Sequence, residues 1–60
     1  MIYPGSKVKI LYPEYAAGRP GIVLALEILK NGSESGYWLV KVQEQDIILA
    51  LSLQEIEPME

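Results

Sequence analysis

The side chains best equipped for chemistry are few. Glu44 and Asp46 bracket a short polar turn, a spacing at which two carboxylates could share a proton or hold a cation weakly. The chain contains no histidine and no cysteine, so neither carboxylate has an imidazole or thiolate to work with. Without those groups there is no nucleophilic dyad and no donor set suited to zinc. At a hairpin tip, Glu44 and Asp46 read as two solvated charges. No catalytic, cofactor-binding or metal-binding residue is expected, and the chain is read as a non-enzyme.

The remaining motifs point the same way. The glycines of "GRPG", Gly18 and Gly21, do not form a nucleotide loop, because no helix amino terminus follows them to receive a phosphate. They are expected to serve a turn. "NGS" at Asn31 matches a glycosylation acceptor, yet "MIYPGSKVKI" carries Pro4 and Gly5 where a secretory signal would have its apolar stretch, so a hairpin turn is expected there. Of the five aromatic residues, Trp38 is assigned to the core. Tyr12 and Tyr15 flank a loop, where packing and partner contact are both open.

Sixty residues, half of them apolar and 22% charged, make one domain, residues 1–60, with a small core and a narrow margin of stability. The absence of cysteine removes any disulfide brace. The longest apolar run, Gly21 to Leu29, falls far short of the roughly 20 residues a membrane helix requires. A cytoplasmic location is expected. The net charge of −3 is unevenly spread. Lys7, Lys9, Arg19 and Lys30 against Glu14 and Glu27 give the first half +2. Lys41 against Glu34, Glu44, Asp46, Glu55, Glu57 and Glu60 gives the second half −5. An acidic total disfavours binding to nucleic-acid phosphates, whereas a small basic face in the first half suits an acidic protein.

The elements that would position these residues are short strands. "SKVKIL" alternates Val8 and Ile10 with Lys7 and Lys9, a period of two that marks a strand with one wet face. "YPEYAAGRPG" is a loop with turn chemistry at Arg19-Pro20-Gly21. Residues 22–29 form a second strand, too short for an isolated helix and bounded by Gly21 and "NGSESG". That polar stretch, Asn31 to Gly36, closes a hairpin. A third strand, Tyr37 to Gln43, places Trp38, Val40 and Val42 on one face and Tyr37, Leu39 and Lys41 on the other. A fourth runs from Ile47 to Leu51. Ser52 caps the one-turn helix "SLQE", and Glu55 to Glu57 form a last strand with Ile56 pointing inward. The fold class is therefore all-β, a small five-stranded SH3-like barrel with a 3-10 turn before the last strand.

In the second strand apolar residues stand on both faces of any alternation. Strict alternation puts Ile22, Leu24, Leu26 and Ile28 in the core and Val23, Ala25, Glu27 and Leu29 on the other side, unless a bulge intervenes. So small a domain cannot hide both faces, so Val23, Ala25 and Leu29 are expected to contribute to an apolar docking patch beside the first strand or the long loop. Tyr12, Tyr15 and Arg19 are the expected anchors, since Tyr and Arg dominate interface energetics, and Lys7 and Lys9 would steer an acidic partner.

"MIYPGSKVKIL" followed by "YPEY", then "GRPGIV", "YWLVKV" and a closing "LSLQEIEP", resembles the small SH3-like subunits of photosynthetic electron-transfer complexes. "GSKVKIL" with "PE" soon after is similar to the E subunit of photosystem I. "MIYPG" and "LSLQEIE" are similar to the S subunit of the cyanobacterial NAD(P)H dehydrogenase-like complex. The resemblance implies a non-catalytic subunit, peripheral on the cytoplasmic face of the thylakoid membrane, that helps dock acidic ferredoxin. It leaves Lys7, Lys9 and Arg19 as the basic docking residues. Two other readings stand beside it: a KOW-type module of transcription and ribosomal proteins, suggested by "GRPGIVLAL", and a homo-oligomeric structural protein.

Overall fold

A computed structural model describes residues 1–59 and contains five antiparallel strands: β1 (Lys7–Ile10), β2 (Pro20–Ile28), β3 (Glu34–Val42), β4 (Ile47–Leu51) and β5 (Ile56–Pro58). They form one sheet in the order β4-β3-β2-β1-β5. Short 3-10 turns at Glu14–Ala16 and Leu53–Glu55 are its remaining regular elements, the second immediately before β5. The fold is all-β with five strands and a 3-10 turn before the last, as expected for a small SH3-like barrel; β1 to β4 form a meander and β5 returns to pair with β1. The sheet curls enough for Leu51 of β4 and Ile56 of β5 to share one core with Val8, Ile10, Val23, Val40 and Val42. The hydrogen-bonded ladder nevertheless stays open between β4 and β5.

Alternation explains most of this directly. In β1, Val8 and Ile10 are buried and Lys7 and Lys9 exposed. In β3, Val40 and Val42 are buried and Trp38 packs against them, while Tyr37 and Lys41 are exposed. Each Val or Ile buried in this way contributes roughly 1.5–3 kcal/mol over leaving it in water. The second 3-10 turn is closed from within. The Ser52 N–H donates to Glu55 Oε1 at 2.8 Å, and the Glu55 N–H donates to the Ser52 carbonyl at 3.0 Å.

The second strand departs from strict alternation, and its core assignment is corrected. Val23, expected on the outward side, is only 1% exposed. Leu24 is 41% exposed, Ile28 is exposed, and Ile22 and Leu26 are half-buried. Pairing is the cause. Gly21 stands opposite both Val8 and Val42, and Val23 opposite Val40, so these two share the face that β1 and β3 bury. The register then shifts between Val23 and Ala25, with Leu24 the extra residue. Beyond this bulge the half-buried Leu26 pairs with Trp38, which itself packs on the core.

A second irregularity lies between Leu26 and Ile28, where β3 carries the surplus residues and Gly36 takes φ 92°. There the Ser35 hydroxyl donates to Glu27 Oε1 at 2.8 Å and accepts from the Tyr37 N–H at 3.0 Å. The hairpin turn is accordingly shorter than "NGSESG". Asn31 Oδ1 accepts from the Ser33 N–H at 2.9 Å, and the Leu29 N–H donates to the Ser33 carbonyl at 2.8 Å, so β3 begins at Glu34.

The long loop between β1 and β2 is tied to the core by Ala16, which is fully buried. The amino-terminal residues also join the structure: the Gly5 N–H donates to the Val23 carbonyl at 2.8 Å, and Ile2 packs on the core. Among the described residues, no helix is long and apolar enough to cross a membrane.

Candidate docking surface

The outward face of the sheet follows from the same registers. Lys7 lies opposite Ile22, Ile22 opposite Lys41, and Lys41 opposite Ile48, giving one row across four strands. The next row places Lys9 between Pro20 of β2 and Glu57 of β5. On the other side, Ala25, Leu39 and Ala50 form a third. Pairing therefore sets Lys7 and Lys41 on either side of Ile22 in one row, with Lys9 in the adjoining row and the partly exposed apolar residues Leu39, Ile48 and Ala50 toward β4.

Lys41 was not among the expected basic residues. Its outward position was readable from the alternation of β3, but its place beside Ile22 depends on the β2–β3 register. It approaches Asp46 at 3.6 Å, with the two side chains 50% and 94% exposed. Such an exposed pair is worth little and leaves the ammonium accessible. Beside it an open depression of about 390 Å³ is lined by Ile22, Lys41, Gln43 and Glu44.

The five expected partner-binding residues fall into separate groups. Lys7 and Lys9 share the outward face of β1. Tyr12 and Tyr15 stand on the long loop, 60% and 67% exposed, Tyr12 before the 3-10 turn Glu14–Ala16 and Tyr15 within it. Arg19 has its backbone opposite the core residue Ile10, whose N–H donates to the Arg19 carbonyl at 2.9 Å. With the Gln45 amide oriented so that its oxygen faces the guanidinium, that oxygen accepts from Arg19 Nε at 3.0 Å and Nη2 at 3.2 Å. Arg19 thus ties the long loop to the β3–β4 turn, whereas Lys7 and Lys9 face outward from the sheet.

The expected apolar patch of Val23, Ala25 and Leu29 does not form. Val23 is in the core, and Leu29 is exposed at the β2–β3 hairpin end. Ala25, Tyr37, Ile48 and Ala50 are exposed on the outward face, and Leu24 is exposed at the bulge. The carboxylate pair is placed on the turn expected for it. Glu44 and Asp46 both have positive φ, 71° and 56°, and both are exposed. Among the described residues no three Asp or Glu side chains gather as a metal site. No protein-family model, no curated protein and no solved structure matches this chain.

Proposed function

We propose that this chain is a non-catalytic docking module that receives an acidic protein on the outward face of β1, β2 and β3. The observation that carries the proposal is the placement of Lys7 and Lys41 on either side of the half-buried Ile22, with Lys9 in the adjoining row of the same face. An apolar centre with a charged rim is the usual anatomy of a protein interface. Positive charge at the rim accelerates encounter with a negative partner without requiring tight binding. The opening and closing stretches, which resemble small subunits of photosynthetic electron-transfer complexes, support ferredoxin as that partner. They equally support a peripheral position on the cytoplasmic face of the thylakoid membrane. Tyr12 and Tyr15 add anchors from the exposed loop, and Arg19 holds that loop in place through Gln45.

The test is the association rate with ferredoxin, measured by stopped flow at increasing ionic strength. The rate should fall as salt rises, because screening shortens the reach of the lysines to about 8–10 Å near physiological ionic strength. The double variant Lys7→Glu/Lys9→Glu should lower it by on the order of tenfold at low salt. A rate indifferent to salt, or equal in the double variant, overturns the proposal.

A further inference from the structure

The two edges of the sheet are built differently. The Gln43 N–H donates to the Pro20 carbonyl at 3.1 Å, so the backbone groups of Gln43 face β2. By strict alternation those of Trp38, Val40 and Val42 face β4, where their partners are Leu51, Leu49 and Ile47. The N–H and C=O groups of Ile48 and Ala50 therefore point away from the sheet, along an edge that pairs with no other strand among the described residues. On the opposite edge, Glu57 lies opposite Lys9 in the ladder, and Pro58, which has no N–H, interrupts the outer row. Charge and proline of this kind blunt an edge against further pairing. β4, "IILAL", carries neither, and Ile48 is 57% exposed.

We infer that the open edge of β4 pairs with the same edge of a second copy, antiparallel about a two-fold axis at Leu49. In this register the outward-facing groups of Ile48 meet those of Ala50 in the other copy, and each such pair exchanges two hydrogen bonds. Leu49 faces its own counterpart in the intervening non-hydrogen-bonded position. The edge is thus complementary to itself, which a two-fold interface requires. It also carries no charge that self-pairing would bring against a like charge. Asp46, just outside the strand, falls opposite Ser52 of the other copy. The two outward apolar strips become continuous, with Ile48 beside Ala50 across the axis. Five residues form a short interface, below the roughly 800 Å² per partner of a standard one, a fifth of the 4219 Å² surface of this chain. The dimer is accordingly a concentration-dependent equilibrium. This inference does not rest on the docking role of the lysines, which lie toward the other edge or on the face of the sheet.

Sedimentation equilibrium of the full chain, from micromolar to millimolar concentration, reads the association. The mass should rise from monomer toward dimer and should not fall with added salt, unlike the ferredoxin encounter. Ile48→Lys should weaken dimerisation at least about tenfold, since the lysines stand beside the apolar strip of the other copy, and should leave the thermal midpoint at low concentration unchanged. The chain has no cysteine of its own, so cross-linking reads the register. Leu49→Cys should link to itself under mild oxidation, whereas Ile48→Cys and Ala50→Cys should link when mixed with each other and not alone. A mass that stays monomeric at millimolar concentration overturns the inference. So does an Ile48→Lys chain that associates like the parent, or an Ile48→Cys chain that self-links as readily as Leu49→Cys.

Discussion

Gly21 offers a sharp perturbation of the fold, because its role differs from that of a turn glycine. It lies in β2 opposite Val8 and Val42, and a Cβ added there would sit 2.7 Å from Val40 Cγ1, 3.1 Å from the Lys41 carbonyl oxygen and 3.3 Å from Ile10 Cδ1. Comfortable carbon contacts are about 3.5–4.0 Å, so Gly21→Ala must be relieved by a shift of roughly 1 Å. Val40 is fully buried and stiff at χ1, and the carbonyl belongs to the ladder of the neighbouring strand, so neither yields easily. Overpacking of this kind costs about 1–3 kcal/mol, partly offset by the 0.5–1 kcal/mol that alanine gains over glycine in the unfolded chain. Thermal unfolding followed by the fluorescence of Trp38, the single tryptophan, should show a midpoint lower by about 4–8 °C for each kcal/mol lost. Val40→Ala removes the nearest clash. In that background Gly21→Ala should cost about 1–2 kcal/mol less, a coupling typical of touching residues. An unchanged midpoint for Gly21→Ala, or an equal cost in both backgrounds, would refute the close packing of β2 against β3.

Two further substitutions test other parts of the fold. Val23→Ala should destabilise by about 2–3 kcal/mol and Leu24→Ala by less than about 0.5 kcal/mol. Urea unfolding of the two variants separates the observed phase of β2 from strict alternation, which ranks them the other way. Glu55→Ala removes the acceptor of the Ser52 N–H and should cost about 0.5–2 kcal/mol. A wild-type urea midpoint for that variant would show that the cap does not hold β5 in place.

The strands that alternate in the sequence could be read from it, and the one that does not could not. Lys7, Val8, Lys9 and Ile10 assign their own faces, and Lys41 between Val40 and Val42 does so for β3, because every second side chain would be costly to bury or wasteful to expose. From Ile22 to Leu26 all residues are apolar, so nothing in β2 itself fixes the phase. Partners fix it. Gly21 is the residue that fits between Val40 and Ile10, and this seats Val23 inward. The bulge at Leu24 then reverses the phase, for which the local sequence gives no signal other than a uniformly apolar run. Ala16 escaped for a related reason, since one small residue in a loop does not announce that it is buried. For the docking surface, the wet faces of β1 and β3 supplied Lys7, Lys9 and Lys41 one strand at a time. The placement of Lys7 and Lys41 on either side of Ile22 is a property of cross-strand register, which a single sequence leaves open.

The central claim is that the outward face of the sheet receives an acidic partner, and its most direct test is a titration of the ¹⁵N-labelled chain with unlabelled ferredoxin. Performed at low concentration, where the β4 edge is unpaired, the amide shifts map the contact residue by residue. Salt-sensitive changes should centre on Lys7, Lys9, Ile22 and Lys41 and extend to Tyr12 and Tyr15, with the hairpin tip from Leu29 to Ser33 unaffected. A spectrum that does not move at low salt, or changes confined to the hairpin tip, would contradict it.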